Sequence, residues 1–163
     1  MDQKFTVGTL IERLMPLAPA GFAIALHIRY SSSRYLFQGY PQDWRDHYSA
    51  EGLVMDDPTV AWGFANSGAI RWSELAAGAD RRGLRVFEAA RRHGLRYGVS
   101  VAIPNADGRS IASAARKDRE YTDAEISEII EIIKALHEAT GADHVLTEAD
   151  HEVLRRLSIH LTK

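Results

Sequence analysis

Two pairs of strand-like segments, each joined by a short turn, constrain the fold of this chain more than any other feature. The first pair spans residues 22–30 and 34–38, with a run of serines between them. The second pair spans residues 97–103 and 110–115, on either side of an Asn-Ala-Asp-Gly sequence that is typical of turns. Because strands joined by short turns pair in antiparallel fashion, the sequence predicts an antiparallel sheet built from hairpins.

Helical patterns lie before, between and after these strand pairs. The clearest begins at the capping-box sequence Thr122-Asp123-Ala124-Glu125 and continues with isoleucines and a leucine on one face. Further helices are predicted over residues 6–15, 41–51 and 80–93, and a short one begins at Asp57-Pro58. Helices packed on an antiparallel sheet predict an α+β fold, a three-layer α/β/α sandwich with a central antiparallel sheet.

Composition narrows the class of protein. The 163 residues suffice for one globular domain, and a formal net charge of −2 argues against nucleic-acid binding by the whole surface. The absence of cysteine excludes a disulfide scaffold, a thiolate zinc site, an iron–sulfur cluster and a cysteine nucleophile. No apolar run approaches the roughly 18 residues of a transmembrane helix, and the N-terminus lacks signal-peptide features. A soluble, cytoplasmic protein with no membrane partner is expected.

Sequence motifs of enzymes and metal sites are absent. The seven histidines form no H-x-H or H-E-x-x-H pattern, and the chain has no G-x-S-x-G turn and no phosphate-binding glycine loop. The pairs Asp143-His144 and Asp150-His151 are interpreted as linker and first-turn residues rather than metal ligands. We therefore predict no enzyme activity, no catalytic residues, no metal and no cofactor. The sequence contains no recognisable catalytic motif for a lactone hydrolase, the alternative enzyme class.

Three aromatic residues, Tyr40, Trp44 and Tyr48, recur at a spacing of four and lie on nearly one face of a predicted helix. Taken alone, such a stripe is more often core filler than the wall of a ligand site. Asp57 and Trp72 follow along the chain. Phenol and indole groups combine an apolar body with a polar tip, so beside a carboxylate they suit a dry pocket that still forms hydrogen bonds. A small-molecule pocket is predicted around these residues.

Five pieces of the sequence, in one order, resemble a known family. They are the run from residue 40 to 48, the Asp57-Pro58-Thr59-Val60 sequence, Trp72, the Gly94-Leu95-Arg96-Tyr97-Gly98 sequence and the segment from residue 108 to 114. Together they are similar to the autoinducer-binding domain of LuxR-type quorum-sensing regulators over about residues 6–140. The resemblance implies that residues 1–141 form a ligand-binding domain and that its ligand is an N-acyl homoserine lactone held in a buried pocket.

The resemblance also implies a role for each polar residue. Tyr40 would donate its hydroxyl to the acyl carbonyl of the ligand, with help from Ser113. Trp44 would donate its indole N–H to the lactone carbonyl. Asp57 would accept the amide N–H, and Thr59 could add a hydroxyl nearby. These roles agree with the chemistry of the side chains, since an ionised carboxylate only accepts and an indole only donates.

The apolar part of the implied site has walls of two kinds. Tyr48 and Trp72 would lie against the acyl chain and the lactone ring. The candidates for the tunnel that holds the acyl chain are Leu26, Ile28, Phe87, Ala90, Leu95 and Ile111. A tunnel of fixed length selects among ligands, because each buried methylene contributes about 0.8 kcal/mol.

Residues 142–163 differ from the rest of the chain. A second capping-box sequence, Thr147-Glu148-Ala149-Asp150, predicts a new amphipathic helix, and residues 146–161 resemble the first helix of the family's helix-turn-helix module. We expect a linker and an incomplete first part of that module, without the recognition helix that reads bases. DNA is then a partner only if the native protein has a complete helix-turn-helix. A homodimer is expected from the resemblance.

Three alternatives stay open at this point. The pocket could sense a different small acyl or aromatic signal, because a similar polar cluster can be tuned to other ligands. The chain could be a short natural protein that modulates a full-length regulator without binding DNA. It could also be a generic small-molecule sensor that shares the sandwich fold but not the polar cluster.

Overall fold

The structure, a computed structural model, describes residues 7–30, 32–106, 108–141 and 148. Within these residues the strands are β1 (Gly21–Ile28), β2 (Tyr35–Gln38), β3 (Gly68–Arg71), β4 (Tyr97–Pro104) and β5 (Arg109–Arg116). They form one sheet in the order β2-β1-β5-β4-β3, and every neighbouring pair is antiparallel. The hairpins β1–β2 and β4–β5 are both present, so the predicted antiparallel sheet is confirmed.

Helices cover both faces of this sheet. They are α1 (Val7–Leu14), α2 (Gln42–Ala50), α3 (Pro58–Ala65), α4 (Trp72–Ala77), α5 (Arg81–Arg92) and α6 (Asp123–Ala139), with 3-10 turns at Met15–Leu17 and Leu53–Asp56. Helices α1 and α6 pack together against one face, and α2 to α5 lie against the other. The layers are helix, sheet and helix, so the predicted α+β sandwich is confirmed.

The face of the sheet under α1 and α6 carries large side chains. Phe22, Ile24 and Leu26 of β1 point to this face, because successive side chains of a strand alternate between faces. Val99 and Val101 of β4 extend the same layer. The two helices complete it with Val7, Leu10, Leu14, Ile129, Ile132, Ile133 and Leu136. We call this side the filled face.

The opposite face of the sheet carries small side chains. The strand register aligns Ala23 of β1 with Ser113 of β5, and Ser113 with Ser100 of β4, in one row across the sheet. A second row places Ala25 beside Ile111. Because most of these residues are alanine or serine, space remains between the sheet and helices α2 to α5. We call this side the hollow face.

Two predicted helix starts are confirmed together with their caps. Asp57 is the N-cap of α3, and its side chain accepts a hydrogen bond from the Thr59 backbone N–H. Thr122 and Glu125 form both hydrogen bonds of a capping box at the start of α6. The first cap matters for the site, because it fixes the Asp57 carboxylate at the start of a helix that covers the hollow face.

Sequence patterns do not predict β3 or α4. With four and six residues, both elements are too short to show a hydrophobic period. β3 lies at the edge of the sheet beside β4, and α4 follows it directly. This connection places Trp72, the first residue of α4, over the hollow face.

Helix α6 ends at Ala139, close to the predicted end of the ligand-binding domain at residue 141. Of the linker and the helix predicted in residues 142–163, the structure describes Glu148 alone, so these predictions lie outside the described residues. Within the described part of the chain, no helix is long and apolar enough to cross a membrane.

Candidate ligand-binding site

A cavity of about 400 Å³ lies between the hollow face and helices α2 to α5. Cavities of this size hold small organic molecules. Most of the residues predicted for the site line it: Ile28, Tyr40, Trp44, Tyr48, Asp57, Thr59, Trp72, Phe87, Ala90, Ile111 and Ser113. The structure therefore brings these residues together around one space.

Two residues predicted for the acyl tunnel lie elsewhere. Leu26 is fully buried in the core of the filled face, because strand alternation turns it away from the cavity. Leu95 is buried in the apolar cluster that contains Trp72 and Val86, but it is not part of the cavity wall. The structure corrects both placements, and neither residue belongs to the candidate site.

Ile28 reaches the cavity although simple alternation along β1 would turn it to the filled face. The β1–β5 register shifts just before Ile28, and His27 there has a left-handed φ of 57°. A bulge of this kind re-aims the side chain that follows it. Two contacts hold the bulge: the His27 backbone N–H donates to Ser110 Oγ at 3.0 Å, and His27 Nε2 lies 2.8 Å from the His137 carbonyl oxygen.

The Asp57 carboxylate is the anionic group of the cavity wall. Its Oδ1 accepts hydrogen bonds from the backbone N–H and the hydroxyl of Thr59, at 2.9 and 2.8 Å, and its Oδ2 accepts one from the Tyr48 hydroxyl at 2.6 Å. A carboxylate oxygen accepts about two hydrogen bonds, so Oδ1 is saturated and Oδ2 keeps one acceptor position. The protein's own donors also offset the cost of burying this charge.

Two phenols flank the carboxylate and stay protonated. Burial, the charge of Asp57 and the hydrogen bond to Asp57 all raise the pKa of Tyr48 far above its ordinary value. Burial and the charge of Asp57 also raise the pKa of Tyr40, while the Ser113 hydroxyl acts in the opposite direction. Both groups are neutral donors at physiological pH. Tyr48, predicted as a wall, uses its proton to hold the carboxylate.

Trp44 of α2 contributes an indole to the cavity wall. The side chain is 5% exposed, and its ring packs against the rings of Tyr48 and His93 at centroid distances of 5.5 and 5.4 Å. The indole N–H donates to none of the residues that the structure describes. Trp44 therefore offers the cavity a flat apolar surface and a hydrogen-bond donor.

A chain of hydrogen bonds links Trp72 to Ser113. Trp72 Nε1 donates to Ser100 Oγ at 3.1 Å, and Ser100 Oγ lies 2.6 Å from Ser113 Oγ. The Trp72 ring lies directly over Gly98, where an added Cβ would collide with the ring. Ser100 was not predicted as a functional residue, because a serine in an alternating strand carries little signal by itself.

The strand order gives the cavity two different ends. Near β4 the wall contains Trp72, with the Phe87 ring at a centroid distance of 5.9 Å, and Ala90. Near β1 and β2 it contains Ala25 and Ile111. Phe87 and Ala90, predicted for the acyl tunnel, therefore lie at the Trp72 end of the cavity and apart from the β1–β2 end.

Several further wall residues are not predicted from the sequence. Arg45 follows Trp44 on α2, and its Nε donates to the Tyr40 carbonyl oxygen at 3.1 Å. Ala25 cannot be recognised as a wall residue from its side chain, because a small alanine contributes only by leaving space. The other unpredicted wall residues are Ala23, Ser33, Leu36, Gln38, Ser49, Val54, Val60, Phe64, Val86 and Ala112. Strand alternation in β1 and β2 is the signal that could have indicated some of them.

Metal ligands are not clustered in the part of the chain that the structure describes: no group of three or more His, Asp or Glu side chains occurs there. The pairs Asp143-His144 and Asp150-His151 lie outside the described residues. The polar groups that do meet at the cavity are a carboxylate, phenols, an indole and hydroxyls. These groups suit an uncharged ligand that has both donors and acceptors.

Comparison with known proteins identifies the family. Residues 21–144 match the family described as the autoinducer binding domain. The transcriptional activator protein VanR of Vibrio anguillarum is 34% identical over 73 residues, which are 45% of this chain and 30% of VanR. The match thus spans less than a third of that relative. VanR is described as a transcriptional activator, and the matched family is described by ligand binding rather than by a reaction.

Two solved structures share the fold. The structure of SdiA in complex with octanoyl-rac-glycerol has a TM-score of 0.61 at 18% identity, over 99% of this chain and 72% of that chain. CepR2 of Burkholderia cenocepacia, described as an N-acylhomoserine lactone-dependent LuxR family transcription factor, has a TM-score of 0.60 at 19% identity over 84% of each chain. With the family match over residues 21–144, the chain belongs to the autoinducer-binding domains of LuxR-type regulators.

Proposed function

We propose that this chain senses an N-acyl homoserine lactone, bound in the cavity under the hollow face, as the ligand-binding domain of a LuxR-type regulator. The observation that carries the proposal is the meeting of one anionic acceptor, Asp57, with the donors Tyr40, Trp44 and Ser113 around one cavity. An N-acyl homoserine lactone is uncharged and presents an amide N–H, an acyl carbonyl and a lactone carbonyl. Such a head group needs one acceptor and at least two donors.

Each polar contact follows from what the side chain can offer. Asp57 Oδ2 has an acceptor position left and receives the amide N–H, a charge-assisted hydrogen bond with a net contribution of about 1.5–3 kcal/mol. Tyr40 and Ser113 donate to the acyl carbonyl, and Trp44 donates to the lactone carbonyl. Thr59 already donates to Asp57 and so orients the carboxylate.

The two ends of the cavity divide the apolar contacts. The lactone ring lies at the Trp72 end, against Phe87 and Ala90. The acyl chain runs past Tyr48 toward the β1–β2 end, where Ile28 and Ile111 line the wall. Each methylene buried there contributes about 0.8 kcal/mol, so the length of this end sets the preferred chain length.

Other parts of the proposal rest on family membership. Residues 1–141 form the ligand-binding domain, and residues 142–163 form a linker and the first part of a helix-turn-helix module. The protein acts in the cytoplasm as a homodimer. It binds DNA if the native protein has a complete helix-turn-helix.

A different acyl ligand is the second candidate, because SdiA, which shares the fold, was solved with octanoyl-rac-glycerol. An acylglycerol has the same apolar tail and an ester carbonyl for Tyr40 and Ser113. It offers hydroxyl groups to Asp57 in place of an amide N–H, and it has no lactone carbonyl for Trp44. The two ligands therefore differ at the head group.

Thermal unfolding and calorimetric titration with N-octanoyl homoserine lactone, octanoyl glycerol and ring-opened N-octanoyl homoserine test the proposal. A ligand at about 100 times its Kd stabilises the folded protein by about 2.7 kcal/mol. We expect the lactone to bind most tightly. The ring-opened compound should not bind, because it would bury a second carboxylate in the same cavity as Asp57. If no acyl homoserine lactone from butanoyl to dodecanoyl raises the Tm, the proposal is wrong.

A further inference from the structure

We propose that Ser100 is a positioning residue that makes the Ser113 hydroxyl a donor toward the cavity, so that the site selects ligands with an acceptor oxygen at that point. Ser100 lies outside the cavity wall and is fully buried on β4. The inference rests on the proposed function and deepens it. It explains why the Ser113 hydroxyl donates a hydrogen bond to the ligand instead of accepting one.

The first step is the fixed position of Trp72. Its ring lies over Gly98, where a Cβ would collide with it, and beside the Phe87 ring. The indole Nε1 donates to Ser100 Oγ at 3.1 Å. Because an indole N–H cannot accept, this bond has one possible direction. It occupies one lone pair of Ser100 and leaves the Ser100 proton to find another acceptor.

The second step is the direction of the bond between the two serines, whose hydroxyl oxygens lie 2.6 Å apart. If Ser113 donated, Ser100 would accept twice, and its own proton would have no acceptor among the residues that the structure describes. A buried unsatisfied donor is costly. If Ser100 donates, every polar atom of Ser100 is satisfied. Donation from Ser100 to Ser113 is therefore the favoured direction.

The third step concerns the Ser113 proton. With its oxygen accepting from Ser100, Ser113 keeps its proton for the cavity, whose wall it shares with Tyr40. The Tyr40 and Ser113 hydroxyls lie close to each other in this wall, so a ligand carbonyl oxygen placed between them accepts from both. A ligand with a poorer acceptor at that place leaves both donors unsatisfied. Ser100 thus contributes to specificity without touching the ligand.

The test compares N-octanoyl homoserine lactone with its thioamide analogue, in which sulfur, a weaker acceptor, replaces the acyl oxygen. The wild-type protein should prefer the amide by about 3- to 10-fold in Kd, the effect of one neutral hydrogen bond. Ser113→Ala and Ser100→Ala should each reduce this preference to the part that the Tyr40 hydroxyl still supplies. The double variant should lose no more than either single variant, because both act through one bond.

Ser110→Ala is the matched control. Ser110 is a fully buried serine that is not part of the cavity wall; its hydroxyl contacts His137 and accepts a hydrogen bond from the His27 backbone N–H. Because the His27 bulge positions Ile28 at the acyl end, this variant can change the affinity for both compounds alike, but it should keep the wild-type ratio of their Kd values. A loss of preference in Ser110→Ala would mean that any buried serine on these strands affects the ligand, and it would overturn the assignment to Ser100.

Hydrogen exchange of the Trp72 indole N–H gives a second readout in the ligand-free protein. The signal should be protected in the wild type and in Ser113→Ala, and should exchange faster in Ser100→Ala. If Ser100→Ala does not fold, Ser100→Cys, whose thiol is a weak donor, takes its place. Retention of the wild-type amide preference in the Ser100 variant overturns this inference alone. Failure of the wild type to bind either compound overturns the proposed function and this inference with it.

Discussion

The two faces of the sheet use the same strands for different purposes. On β1, the residues Phe22, Ile24 and Leu26 fill the face under α1 and α6, whereas their neighbours Ala23 and Ala25 leave room under α2 to α5. A filled core supplies apolar burial, the main source of stability. A hollow one forgoes part of that stability to admit a ligand. Side-chain size at alternate strand positions therefore separates stability from binding within one sheet.

The largest expected effect is on the filled face. Leu26→Ala should lower the free energy of unfolding by about 2–5 kcal/mol, because it leaves a cavity in a fully buried core. Chemical denaturation measures this loss. The Kd of the folded protein for N-octanoyl homoserine lactone should stay unchanged. A changed chain-length preference with near-normal stability would mean that Leu26 faces the ligand after all.

At the polar centre of the hollow face, Asp57→Asn should weaken binding by roughly 1.5–3 kcal/mol, measured by calorimetric titration. Asparagine is a good N-cap and still accepts from Thr59, so the fold should be kept. The substitution replaces the acceptor Oδ2 with an NH₂ group that faces the amide N–H of the ligand. Asp56→Asn, at a half-exposed neighbour outside the cavity wall, is the control for charge. Equal Kd values for both variants would reject the assigned pose.

A smaller effect is expected from Ala25→Val, which adds two carbons to the hollow face. Long acyl chains should lose about 1.6 kcal/mol of binding, the contribution of roughly two methylenes, and butanoyl homoserine lactone should lose none. A series of chain lengths measures the difference. Ala114→Val makes the same change on the filled face of β5. It should instead lower stability by about 1–3 kcal/mol through overpacking, without a chain-length effect. If Ala114→Val changed the chain-length preference and Ala25→Val lowered only the stability, the assignment of the two faces would be wrong.

Much of the fold follows from the sequence, because its signals are local. Turn residues in the sequence indicate both hairpins, and the capping residues Asp57 and Thr122 indicate two helix starts. The structure contains the hydrogen bonds expected of both caps. β3 and α4 have no such signal, since each is only four to six residues long. Their place depends on pairing with β4, which is far away in the sequence.

The sequence predicts the polar residues of the site, because their side-chain chemistry identifies them. It predicts the apolar wall residues less well, because the face on which they lie depends on the strand register. Tyr40, Trp44 and Asp57 stand out by residue type and spacing, and the structure places all three at the cavity. Leu26 and Ile28 share the same apparent strand face, and a single bulge at His27 separates them. Because a shift of one residue moves a side chain to the other face, apolar wall residues need the three-dimensional register.

The smallest expected effect concerns the point where β1 turns from one face to the other. The rings of His27 and His137 stack there at a centroid distance of 4.4 Å. Burial lowers the pKa of His27, with the His137 carbonyl opposing and Arg34 adding to the shift. Burial and the neighbouring His27 lower the pKa of His137, with Glu138 opposing. Both rings therefore take up protons less readily in the folded protein than in the unfolded chain.

This arrangement predicts that acid weakens the bulge. The unfolded chain takes up protons near the ordinary histidine pKa of about 6.5, whereas the folded protein does so at lower pH. The free energy of unfolding should be constant above about pH 7.5 and should fall as the pH decreases through 6.5. Denaturation curves between pH 7.5 and 5.5 measure this fall, well above the range of Glu125, whose pKa is lowered to about 2 by Arg119. His137→Gln should flatten the pH dependence, because one of the two titrating rings is gone. An equally steep fall in that variant would assign the acid sensitivity to groups away from the bulge.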